Sequence, residues 1–181
     1  MLSEPAAPVL PETSASAPFA PVLRSGTLRD ETATAAFGER LARALTPGLL
    51  ITLAGGLGVG KTTLVRAVLR ALGHTGPVRS PSFTLLEPYT LPGLTLLHFD
   101  CYRMASPEEW AAAGFDDALM EPAVCLVEWA ELARMARPTP DLAITLDWPA
   151  DAAEGSEQRR ITLVASTSAG LPCLNALDAA S

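Results

Sequence analysis

Apolar positions along this chain follow two periods in turn, and each change of period marks an element. From Asp30 to Leu45, the residues Ala36, Phe37, Leu41, Ala44 and Leu45 recur at three- to four-residue spacing. That spacing predicts an amphipathic helix capped by Asp30 and ended by Pro47-Gly48. Leu49 to Leu53 is a short apolar, β-capable run, and a second helix is expected from Thr63 to Leu72 before the break from Gly73 to Pro77. Leu94 to Asp100 and Ala123 to Glu128 read as apolar strands that each end in a carboxylate. Between them, Ser106-Pro107-Glu108-Glu109 places Pro at the first helical position and acids in the first turn, and Gly114 should close that helix. Asp141 to Trp148 and Arg159 to Val164 are further strand candidates, joined by a polar loop at 150–158 with no helix between them.

These elements predict an α/β fold with a mixed, mainly parallel central sheet and flanking helices. Two places favour antiparallel pairing. Thr84 to Glu87 and Leu94 to Phe99 lie around Pro88 to Gly93 as a possible hairpin, and the last two strands can pair likewise. The expected domain covers residues 23–165. Residues 1–22 are rich in Ala, Pro and Ser and cannot offset their ordering entropy by burial, so they read as a disordered tail. From about Ser166 to Ser181 no pattern is evident.

Composition narrows the function. A chain of 181 residues is long enough for one domain with a proper core. No apolar run approaches the ~20 residues of a membrane span, and no secretory signal is expected. Cys101, Cys125 and Cys173 are odd in number and lack metal spacing, which suggests a reducing cytosol, with Cys125 a small buried side chain. With only His74 and His98, a histidine metal site is not expected. The net charge of −7 speaks against a basic face that grips nucleic acid, and Arg159-Arg160 reads as a solvated strand start. If RNA is involved, a partner holds it.

The chemistry centres on Gly55 to Thr62, which fits G-x-x-x-x-G-K-[ST] with Gly55, Gly60, Lys61 and Thr62. A strand precedes it and a helix follows, the context that a phosphate-binding loop requires. Backbone N–H groups must converge on anionic oxygens, and the helix dipole points its positive end at them. Leu57, Gly58, Val59, Gly60, Lys61, Thr62 and Thr63 are therefore the expected nucleotide contacts. Lys61, the only lysine among 13 basic residues, would reach the outer phosphates, and the Thr62 hydroxyl would ligate Mg²⁺. In a parallel sheet the carboxyl ends of strands face the ligand, so Asp100 and Glu128 both become candidate acids. Trp129 read alone is core. The hydroxyl-rich segment Arg79 to Leu85 is either a polar hairpin entrance or a switch near the phosphates.

Taken together, GGLGVGKTT (55–63), RSPSFTLLEPYT (79–90), HFDCYR (98–103), PEEW…G (107–114) and CLVEW (125–129) resemble the TsaE (YjeE) family, small P-loop ATPases of bacterial tRNA threonylcarbamoyladenosine synthesis. The resemblance covers about residues 23–165 and implies a P-loop NTPase-like fold. It implies that Glu128 contributes to Mg²⁺ binding with Thr62, that Asp100 matters for hydrolysis, and that Trp129 lies near the nucleotide. It also favours the switch reading of Ser80 to Thr84. Two departures stand out: Gly56 occupies the place of the family's usual Asp, and Ser82 and Phe83 replace its usual Thr and Tyr.

The expected activity is that of a cytoplasmic Mg²⁺-dependent ATPase, with Lys61, Asp100 and Glu128 as its catalytic set and ATP and Mg²⁺ as cofactors. Asp100 would orient or activate water, or hold the metal through water; a carboxylate of ordinary acidity is a poor base at neutral pH, which makes orientation the safer of these roles. The resemblance implies TsaD-like and TsaB-like partners, with tRNA reached only through them and ATP hydrolysis resetting that complex. Two other classes remain open. A free-standing kinase or GTPase would need an acceptor lid or an N-K-x-D motif, and no lysine follows Lys61. A non-hydrolysing, nucleotide-gated binding module would need only the loop.

Overall fold

The computed structural model describes residues 19–81, 84–104, 106–132, 139–150 and 155–178. Most of the N-terminal tail, Ser82 and Phe83 of the hydroxyl-rich segment, and residues 151–154 of the polar loop lie outside them. Seven strands form one sheet: β1 (Val22–Leu28), β2 (Leu50–Ala54), β3 (Leu86–Leu91), β4 (Leu94–Asp100), β5 (Val124–Glu128), β6 (Leu142–Asp147) and β7 (Arg159–Ala165). Their spatial order is β1-β7-β6-β2-β5-β4-β3. The central β6-β2-β5-β4 pairings are parallel, and the pairings β6-β7, β7-β1 and β4-β3 are antiparallel. The sheet is thus mixed with a mainly parallel core, as the element pattern predicted.

Helices cover both faces. On one lie α1 (Glu31–Ala44), α2 (Lys61–Ala71) and α5 (Leu171–Asp178), with Phe37, Leu41, Leu64, Val65, Val68 and Leu174 in the larger core cluster. On the other lie α3 (Pro107–Ala112) and α4 (Phe115–Leu119), where Trp110 and Phe115 pack on Phe99. Strand parity assigns each residue to a face. Along β5, Val124 and Leu126 enter the α1/α2 core while Cys125 and Val127 enter the α3/α4 core. Along β4, Leu96 faces α2 whereas Leu97 and Phe99 face α3. By the same alternation His98, Asp100 and Glu128 belong to the α2 face.

Asp30 caps α1 as expected, accepting from the Ala33 N–H at 2.7 Å, with Glu31 in the first turn and Arg43 in the last to match the helix dipole. Two other expectations shift, and two elements form where none was expected. The helix after the loop begins at Lys61, two residues earlier than predicted, because Gly60 (φ +113°) ends the turn as its N-cap. The hairpin is tighter than predicted: β3 runs through Pro88 to Leu91, and only Pro92-Gly93 turn the chain. Pro88 is tolerated because β3 is the outermost strand, where a missing N–H can face outward. Strand β1 is almost wholly exposed and so carries no apolar alternation to find. In the C-terminal region, where no pattern could be read, α5 forms and seats Cys173 and Leu174 against α1 with no exposed surface.

All three cysteines are free and buried. Burial pushes the Cys101 and Cys125 thiols up to about 12 and the Cys173 thiol to about 11, from an ordinary 9.0. A raised folded-state value means that this contribution to stability is fully present below pH 9.0 and is lost as the pH rises toward 11 to 12. The native protein should therefore resist thiol alkylation at neutral pH and react on unfolding. Its unfolding free energy should fall above pH 9.0, with a shallower slope in Cys125→Ala, as measured by denaturant titration across that range.

Candidate functional site

The loop between β2 and α2 owes its path to two glycines. A Cβ on Gly55 would lie 2.1 Å from the Leu146 carbonyl oxygen of neighbouring β6, so no other residue fits there without moving backbone. Gly60 adopts φ +113°, a conformation that side-chain-bearing residues rarely take, and directs the chain into α2. The first N–H groups of any helix lack intrahelical partners. Among the described residues, no backbone carbonyl accepts from the N–H groups of Gly60, Lys61, Thr62 or Thr63. They are a set of donors without a backbone partner at the positive end of α2, where an anion is favoured.

Lys61 is nearly buried at 4% exposure. Its Nζ donates to the Gly55 and Gly56 carbonyls at 2.7 and 2.9 Å and lies 3.6 Å from the centroid of the Trp129 ring. Desolvation lowers its pKa below 10.5, and the charges of Glu128, Glu131 and Asp100 oppose that shift. The ammonium is held by neutral carbonyls and a π face rather than by a close carboxylate, so a stronger anion can recruit it.

The acids arrive by register. Asp100 and Glu128 are paired positions at the carboxyl ends of parallel β4 and β5, on the same face as α2. Both are nearly buried. The Thr62 hydroxyl donates to Glu128 at 2.9 Å (Oε1) and 3.1 Å (Oε2). Asp100 accepts from the Tyr102 N–H at 3.0 Å through Oδ1, and from the Ser80 hydroxyl through Oδ2. Ser80 thus links the hydroxyl-rich segment to the acid. Leu85, at φ +60°, turns that segment into β3, and its carbonyl accepts from the Asp100 N–H at 3.0 Å. Trp129 also adopts a left-handed conformation, φ +59°, directly after Glu128, which carries its ring over Lys61 and against Tyr102 (centroids 5.0 Å apart). Such backbone strain in a bulky residue persists where its surroundings enforce it, and it concentrates at sites of function.

Leu57, Gly58, Gly60, Lys61, Thr62, Thr63, Asp100, Glu128 and Trp129 line a single cleft of about 280 Å³, joined by Ser80, Tyr102 and Arg103. Val59 is the member of the expected set that turns away: its side chain is in the core, and it lines an adjoining cavity of about 150 Å³. Beyond the expected contacts, Ser80 and Tyr102 hold Asp100, and two further residues outside the cleft lining are tied to the site. His98, fully buried, joins Nε2 to Glu128 Oε1 at 2.9 Å; the carboxylate accepts, so Nε2 carries the proton. The other is Arg159, which reaches the loop from β7. His98 could have been found by parity, two residues before Asp100 on one strand. For Arg159, 100 residues from its partner in sequence, no local signal exists.

His98→Leu removes one of the donors to a buried carboxylate and should cost about 1–3 kcal/mol of unfolding free energy. The measurement is a lower denaturant midpoint at unchanged m-value. Preserved stability would mean that Thr62 alone satisfies Glu128.

A family model described as threonylcarbamoyl adenosine biosynthesis protein TsaE matches residues 28–161. The tRNA threonylcarbamoyladenosine biosynthesis protein TsaE of Haemophilus influenzae is 37% identical over 154 residues, 82% of this chain and 94% of that protein. The protein of the same name from Bacillus subtilis is 37% identical over 132 residues, covering 73% and 79% respectively. The crystal structure of Bacillus subtilis YdiB superposes with a TM-score of 0.73 at 29% identity, over 88% of this chain and 97% of that one. The matched span runs from the end of β1 into β7 and takes in the loop, both strand-end acids and Trp129, and on it this chain belongs to the TsaE family.

Proposed function

We propose that this chain is a Mg²⁺-dependent ATPase that serves the formation of threonylcarbamoyladenosine in tRNA. It would act as the partner of TsaD-like and TsaB-like proteins and would not perform the transfer itself. The observation that carries this reading is the convergence, in one cleft, of the unpartnered amides of Gly60 to Thr63, the Lys61 ammonium, the Thr62–Glu128 pair and Asp100. The relatives' names supply the pathway. Among the described residues no helix is long and apolar enough to cross a membrane.

The donor set suits Mg²⁺. The groups that line the cleft beside the loop are hard oxygens, from the Thr62 hydroxyl and the Glu128 and Asp100 carboxylates, while the ring of His98 is fully buried. Mg²⁺ needs only one or two protein carboxylates beside phosphate oxygens and water, so no cluster of three metal-binding side chains is required, and among the described residues none occurs. Thr62 and Glu128 would hold the ion, and its charge would offset the charge that develops on the transferred phosphoryl group.

The chain's own residues do the rest. The loop amides bind the β- and γ-phosphate oxygens. Lys61 exchanges two carbonyl contacts for phosphate and remains beneath Trp129, which excludes water from its ammonium. Asp100, fixed by the Tyr102 N–H, orients the attacking water, and the Ser80 hydroxyl on its other oxygen makes this step sensitive to the conformation of the switch segment. Hydrolysis would then reset the partner complex between turnovers.

Lys61→Ala should abolish ATP binding, and Glu128→Gln should retain it while lowering turnover on the order of 10²-fold. The decisive measurement is ATP hydrolysis with and without TsaB-like and TsaD-like partners and tRNA, beside tRNA modification in the same reconstitution. Stimulation by the partners supports the assignment. Undiminished modification with Glu128→Gln would reduce the protein to a nucleotide-gated module, and phosphate transfer to a metabolite by the isolated chain would make it a kinase.

A further inference from the structure

The loop's carbonyls are as important as its amides, because each carbonyl that faces a phosphate repels it. Lys61 restrains those of Gly55 and Gly56. The carbonyl of Val59 is held by a residue to which the nucleotide reading assigns no role. Arg159, the first residue of β7, donates from Nε to the Val59 oxygen at 2.8 Å. Its Nη1 donates to the Gln158 carbonyl at 3.0 Å, and its guanidinium carbon lies 3.3 Å from the centroid of the Trp148 ring. The group is therefore fixed on three sides, in the 150 Å³ cavity on the β7 side of the loop, opposite the acids.

We propose that Arg159 is a positioning residue that orients the Val59–Gly60 peptide for anion binding. A peptide unit is planar and trans, so the Val59 C=O and the Gly60 N–H point in opposite directions. Drawing the carbonyl outward to Arg159 turns the Gly60 N–H toward the concave side of the loop. That peptide needs an external hold because its second residue is glycine, which leaves both orientations of the plane accessible. The partner must also be arginine. A planar guanidinium can lie flat on Trp148 and still present Nε to the carbonyl, whereas a lysine ammonium has no flat face to stack. The strands β6 and β7 thereby act on the phosphate site from the side away from Asp100 and Glu128.

This inference rests on the nucleotide reading, and the experiment separates the two. Binding of ATP and of pyrophosphate, which has no base, is measured by calorimetry for wild type, Arg159→Met and Arg159→Lys. Arg159→Met should weaken both ligands in parallel by about tenfold, the worth of one charge-assisted hydrogen bond, with little change in melting temperature. Arg159→Lys should recover part of that loss. Undiminished pyrophosphate affinity in Arg159→Met overturns the proposal even if ATP affinity falls, since Arg159 would then serve the base. Should Arg159→Met not fold, Trp148→Ala, at a residue 46% exposed, carries the test: a parallel loss for both ligands supports the proposal and none overturns it. Wild-type protein that binds neither ligand overturns the nucleotide reading and this inference with it, whereas wild-type binding with unaffected variants overturns the inference alone.

Discussion

The structure depends on holding two carboxylates and one ammonium together at the edge of an apolar core. Charges this far out of water are costly unless each is partnered, and removing one partner leaves the others exposed to that cost. Parallel pairing puts Asp100 beside Glu128, a like-charge neighbour that gains nothing by itself. The compensation comes from separate elements: Thr62 from α2, His98 from β4, Ser80 from the segment after α2, and the Tyr102 N–H from the chain beyond β4. Each hydrogen bond fixes the position of an element as well as an acid, so the site and the local fold hold each other in place.

The mixed topology explains how these partners arrive. The four parallel central strands bring their carboxyl ends to one side, as crossover connections require. The antiparallel edges then perform tasks that a parallel sheet could not. On one side the β3–β4 hairpin returns the hydroxyl-rich segment to Asp100 through the Leu85 carbonyl. On the other, β7 runs opposite to β6, so that its first residue, Arg159, lies at the level of the phosphate loop. The loop and the start of α2 are thus held from both flanks, by Glu128 through the Thr62 hydroxyl and by the Arg159 guanidinium through the Val59 carbonyl.

What the sequence could reveal followed from the range of the causes. The loop, its helix and the Asp30 cap rest on neighbours within a few residues, and the strand-end acids follow from a rule about parallel sheets that needs no partner. Strand parity on HFD and VEW was also available, and would have placed His98 on the face of Asp100 and Glu128. Strand β1 and helix α5 were hidden for opposite reasons. The exposed residues of β1 show no alternation, and α5 spans only eight residues, about two turns, too short a stretch for its buried Cys173, Leu174 and Leu177 to stand out as a period. Pro88 marked a turn by propensity but lies within an edge strand because sheet position overrode it. Arg159 read as a solvated strand start, and only the return of the chain to the loop gives it a partner.

Gly56 stands where the resemblance to the family implies an Asp. A Cβ at this position would meet nothing within 4 Å, so packing does not demand glycine, in contrast with Gly55 one residue earlier. What an Asp would add at this place is a charge rather than a packing contact. Lys61 already feels Glu128, Glu131 and Asp100, and its contact at Gly56 is to the backbone carbonyl, which any residue supplies. A carboxylate at this place would add a further negative charge to that set. With glycine there, Lys61 is restrained only by two neutral carbonyls and the face of Trp129, and the free amides of Gly60 to Thr63 form the nearest strong field for an anion to enter. Orienting those amides then falls to the groups that grip the loop from outside, Leu146 by close approach at Gly55 and Arg159 by its hold on Val59.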